Sequence, residues 1–120
     1  MKTVLISAAV LLVPSFAFAD RSWTGDHQSV TWDCKTEAVV SISGNQSSFN
    51  LTGSCKQITI LGNDNRVNID AADNVSVPGN ANIVNGSHVV TISVTGHDNT
   101  VDAKGAQVSN VGERNRVTTK

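Results

Sequence analysis

The chain has 120 residues, with 9 Lys and Arg against 10 Asp and Glu, a net charge of −1 and only 4% aromatic residues. That size fits one domain, and that balance offers neither a basic footprint for nucleic acid nor an acidic tail. Low charge with 17 valines and 12 asparagines argues against a disordered chain and against a helical bundle.

Residues 1–19 read as a signal peptide. Lys2 supplies the positive start, 4–13 is a short apolar run, and Ala17-Phe18-Ala19 is a small-x-small cleavage pattern before Asp20. The run is too short to span a bilayer, so no membrane span is expected. No cysteine follows it, so no lipid anchor on a lipobox cysteine is expected either. Residues 20–120 then form a single exported domain, periplasmic or extracellular. In an oxidising compartment the default reading of Cys34 and Cys55 is a disulfide. A metal site would need more ligands at suitable spacing, and a catalytic thiol would need a base nearby.

After the leader the chain repeats itself. The unit is aliphatic-x-aliphatic-x-Gly-x-x-Asn-x-Val-x-apolar. It reads Ile58, Ile60, Gly62, Asn65, Val67 and Ile69, then Val75, Val77, Gly79, Asn82 and Val84, then Ile92, Val94, Gly96, Asn99, Val101 and Ala103. Variant copies hold Val40, Ile42, Gly44, Ser47, Phe49 and Leu51, and Val108, Asn110, Gly112, Asn115, Val117 and Thr119. A fainter first copy holds Trp23, Gly25, Gln28, Val30 and Trp32.

Apolar residues alternate with period two on both sides of each glycine, which predicts strands with one buried face. A unit this short cannot bury that face alone and must stack on its copies. The predicted fold is therefore all-β: a parallel β-solenoid of about six short coils, each with two strands joined by turns. A β-sandwich of hairpins would not need the same glycine-to-asparagine offset in every copy. A hexapeptide left-handed helix would need aliphatics every six residues. Gly44, Gly62, Gly79, Gly96 and Gly112 are expected to supply positive φ at a corner. Asn65, Asn82, Asn99 and Asn115 should align there as a ladder of amides bonded to one another. Trp23 and Trp32 would cover the first coil. Asn110 and Thr119, polar at inward positions of the last, would discourage end-to-end pairing.

The pattern of Cys34, then the strand of Val40 and Ile42 leading to Gly44, then Leu51-Thr52-Gly53-Ser54-Cys55 and repeated Gly-x-x-Asn-x-Val, resembles a bacterial exported family. That family is known only as a domain of unknown function, number three thousand and sixty. The resemblance covers roughly residues 30–117. It implies repetitive β structure and a secreted or surface-anchored setting, and carries no activity or functional residues. A weaker resemblance, to curlin repeats, rests on Gly-x-x-Asn followed by a small apolar residue. Curlin repeats carry Gln where this chain has Ile42, Ile60, Val77 and Val94, and they lack cysteines. Both differences favour a closed solenoid over a fibre subunit.

Few groups suggest chemistry. His27-Asp26 and His97-Asp98 flank corners four coils apart and cannot share an ion. Gly62-Asn63-Asp64-Asn65 is similar to calcium-binding repeats, but other copies place Gln46, Ala81 or Arg114 where a carboxylate would be needed at each level. No catalytic residues, metal or cofactor are implied, and the chain reads as no enzyme. One outward column, Ser22, Ser41, Thr59, Ser76, Ser93 and Ser109, forms a strip of hydroxyls with its neighbours Thr24, Ser43, Leu61, Pro78, Thr95 and Val111. Ordinary solvent-facing strands would look the same. A binding face for ice, for a glycan, for an unidentified protein, or for another copy pairing through sheet edges is the alternative. The expectation is an exported structural or interaction module, with a curlin-like self-assembling fibre or adhesion subunit as the second reading.

Overall fold

The structure, a computed structural model, describes residues 20–35 and 38–119. The expected signal peptide lies outside the described residues. Among the described residues nine strands follow in chain order: β1 (Asp20–Trp23), β2 (Ser29–Asp33), β3 (Ala38–Ile42), β4 (Ser48–Ile60), β5 (Arg66–Val77), β6 (Ile83–Val94), β7 (Thr100–Ala103), β8 (Gln107–Asn110) and β9 (Arg116–Thr118). Every strand pairing is parallel, and each joins a segment to its counterpart one repeat later. The chain is a β-solenoid of about six coils.

Period-two patterning becomes columns. Val40, Ile58, Val75 and Ile92 lie above one another, as do Ile42, Ile60, Val77 and Val94. Across the interior stand Phe49, Val67, Val84 and Val101. All of these are essentially sealed from solvent, and each such side chain contributes about 1.5–3 kcal/mol by burial. At the N-terminal end Trp23 packs edge-on against Trp32, with centroids 5.6 Å apart, and leans on Phe49. The two indoles thus lie over the aliphatic interior. A disulfide joins Cys34 to Cys55, two core residues of consecutive coils with Cα atoms 5.0 Å apart.

Two details differ from the sequence expectation. The second corner does not break the strands: β4, β5 and β6 each run through it, with a register shift between Leu51 and Ser54. All variation in coil length collects there. The segments between fixed columns are 33–38, 52–56, 70–73, 87–90 and 104–106, or six, five, four, four and three residues.

The corner glycines also act for a different reason. Gly44, Gly62, Gly79, Gly96 and Gly112 do not have positive φ. That conformation falls two residues later, on Gln46, Asp64, Ala81, Asp98 and Arg114, with His27 in the first coil. Glycine is required by close approach instead. A Cβ on Gly79 would overlap the carbonyl oxygen of Gly62 in the coil before, and the same clash recurs at each of the five. The backbone hydrogen bonds of the stack hold these two coils together, so neither can retreat locally.

Candidate functional site

The polar residues of the first corner serve the fold. Asn65, Asn82 and Asn99 are at most 1% exposed. Each Nδ2 donates to a glycine carbonyl one coil back: Asn65 to Gly44, Asn82 to Gly62, Asn99 to Gly79, and half-buried Asn115 to Gly96, at 2.8–2.9 Å. Each Oδ1 accepts a backbone N–H from that same coil, those of Ser47, Asn65, Asn82 and Asn99 in turn, at 2.8–3.0 Å. The ladder expected between amides is therefore a ladder from side chain to backbone. This satisfies buried main-chain groups that a tight turn would leave unpaired.

A second corner column runs the other way. Asp26, Asn45, Asn63, Asn80 and His97 accept the N–H of the equivalent residue one coil later, ending with Glu113 N–H on His97 Nδ1 at 3.2 Å. His97 and Asp26 are thus engaged in stacking. Asp98 is held by the Arg114 guanidinium through two hydrogen bonds of 2.8 and 3.0 Å. That fork keeps the Asp98 carboxyl below its usual range and raises the Arg114 guanidinium. Among the described residues no three His, Cys, Asp or Glu side chains come together.

The ladder of amides bonded to one another lies on an outer face. Asn68 donates to Asn50 at 2.9 Å and Asn85 to Asn68 at 3.2 Å, six residues after each glycine. The signal was present in the spacing of these three residues. That face is also charged, with Arg66, Asp70, Asp102 and Lys104 nearby.

The face before the glycines is different in kind. Ser22, Ser41, Thr59, Ser76, Ser93 and Ser109 pair in unbroken register, each opposite the next. Beside them Gln57, Asn74 and Thr91 form an amide and hydroxyl ridge, with the Thr91 hydroxyl donating to Asn74 Oδ1. Floor and ridge enclose a shallow trough of about 460 Å³ that reaches Gln107. Of the hydroxyl column, Ser76, Ser93 and Ser109 line it, while half-buried Ser41 and Thr59 continue the column beyond it. On the other flank Leu61 and Val111 are 50% and 74% exposed. Across coils two to six, none of the fifteen outward positions of this face is charged. Alternation alone placed the hydroxyl column, but the depth of the trough depends on side-chain packing and has no sequence signal.

Among the described residues no helix is long and apolar enough to cross a membrane. No curated protein and no solved structure matches the chain. Residues 42–88 match the family described as protein of unknown function (DUF3060), the family whose pattern the chain resembles.

Proposed function

We propose that this protein is an exported β-solenoid without catalytic activity, serving as a structural or interaction module of the bacterial envelope or extracellular space. The observation that carries the reading is the face before the glycines: fifteen outward positions in register, none charged, with polar groups directed at solvent. The corner amides, by contrast, are consumed in holding coils together. An uncharged strip of hydroxyls and amides with exposed aliphatics at its edge suits a protein surface or a neutral glycan. The disulfide supports an oxidising destination.

The test has two parts. N-terminal sequencing of the exported chain should begin at Asp20. Ser76→Lys with Ser93→Lys places two cations on the trough floor. The double variant should lose capture of envelope protein or polysaccharide without a change in melting temperature. Capture that survives the double substitution would show that this face is not the one used.

A further inference from the structure

The coil-to-coil interface inside the molecule is directional, and its two ends are complementary. From Gly44 to Gly96 each corner offers its successor a glycine carbonyl and two N–H groups, those of the second and third residues after the glycine. In return it receives a side-chain amide and a backbone carbonyl. In the last corner Gly112 O and the N–H groups of Arg114 and Asn115 have no such partner among the described residues. The first corner holds the counterparts. Gln28 occupies the ladder position of Asn65 and Asn82, yet among the described residues no coil precedes it. Its Nε2 lies against Gly25, as Asn82 Nδ2 lies against Gly79, and its Oε1 is buried without a hydrogen bond among the described residues.

We infer that the C-terminal coil of one copy docks on the N-terminal coil of a second copy, continuing the solenoid across the junction. Extending the internal register sets β9 against β2 and β8 against β1. Gln28 then donates to Gly112 O and accepts from Asn115 N–H, relieving the buried side-chain oxygen that is unpaired among the described residues. Two inward columns match in size, while in a third Arg21 comes to lie against Val108. Asn110 and Thr119, small and exposed, come to lie against Trp23 and Trp32, the bulkiest inward residues of the chain. The polar tips of Asn110 and Thr119 weaken this contact relative to an internal one, so it is reversible and gives short assemblies at high concentration. The inference rests on the interaction reading above, including removal of residues 1–19, which precede β1.

The full chain, produced with its leader in an oxidising compartment, tests the docking by cross-linking. Thr31 and Thr118 occupy the same outward column, opposite Asn50 and Asp102 respectively. Strand spacing of about 4.8 Å is within reach of a disulfide. A mixture of Thr31→Cys and Thr118→Cys chains should form a cross-linked dimer under mild oxidation, and either variant alone should not. The buried native disulfide is not expected to exchange. In the parent chain sedimentation should quicken with concentration. Tryptophan emission should shift to the blue in parallel, because both tryptophans lie at the docking end. No cross-link at millimolar protein, equal cross-linking in the single-variant samples, or association without the emission shift would each overturn the inference. Capture of envelope components by a chain that does not cross-link would leave the interaction reading standing and remove only self-docking. Cross-linking without capture would do the reverse.

Discussion

Asn82→Ala is the sharpest test of how the corner is held. The side chain is 0% exposed and makes two hydrogen bonds to the previous coil. It donates to Gly62 O and accepts from Asn65 N–H, both at 2.9 Å. Its removal leaves one buried acceptor and one buried donor unpaired, at about 1–3 kcal/mol each. The expected loss is therefore about 2–6 kcal/mol, a large share of the 5–15 kcal/mol typical of a whole domain. For a domain of about 100 residues this lowers the melting temperature by at least about 8 °C. The measurement is urea unfolding followed by far-UV circular dichroism, with midpoints compared at equal slope. Asn85→Ala, in the exposed amide ladder, is the control and should cost no more than about 0.5 kcal/mol. Asn82→Asp should be no milder than Ala at neutral pH, because it keeps the acceptor but turns a carboxylate toward the Gly62 carbonyl. Losses at Asn82 and Asn85 of equal size would refute the assignment of the buried ladder as the stabilising one.

Within one corner, Gly79→Ala should destabilise by at least about 1–3 kcal/mol through the clash with Gly62 O, since overpacking here meets backbone. Ala81→Gly should stabilise slightly, because Ala81 has a φ of 57°; the opposite pair of signs in thermal melts would mean that the two corner positions are misassigned. Val67→Asp should prevent folding, as it puts a charge at a fully buried position, while Ser76→Ala should be nearly silent; circular dichroism of both separates inside from outside. Reducing the Cys34–Cys55 bond should cost about 3 kcal/mol on the chain-entropy view, and an unchanged melt with reductant would contradict that. Asp98 has a lowered folded pKa, chiefly from the Arg114 hydrogen bond, so its small contribution is present above the unfolded carboxylate value. That contribution is lost as pH falls through the folded one. In Arg114→Ala an NMR titration should show Asp98 rising toward its ordinary range, and no rise would refute the pairing.

Much of the fold was legible because parallel stacking turns sequence offset into spatial column. Glycines 19, 18, 17, 17 and 16 residues apart, with aliphatics at fixed distances from each, leave few other ways to bury every copy. What could not be read was which constraint selects a given residue. Glycine serves both positive φ and close approach, and the residue type does not say which. Positive φ at Gln46, Asp64, Ala81 and Arg114 leaves no shared side chain to notice. The amide column at the corner was visible, but whether its members bond to each other or to backbone depends on rotamers set by packing. On the candidate face, Ser41, Thr59, Ser76 and Ser93 were identifiable by alternation. The ridge of Gln57, Asn74 and Thr91 that gives the face its depth was not, because those residues share an orientation but no common residue type.

The second corner, where five successive coils use six, five, four, four and three residues between unchanged columns, separates tolerance from constraint. Along that one seam the polypeptide can grow or shrink, with the register shifts confined to it and the columns on either side unchanged. An added peptide there, an epitope or a recognition loop, would be displayed at intervals of a single strand spacing. The opposite edge, with its glycines against carbonyls, admits no such addition. Diversification of a molecule built this way, by natural drift or by design, has one direction open to it.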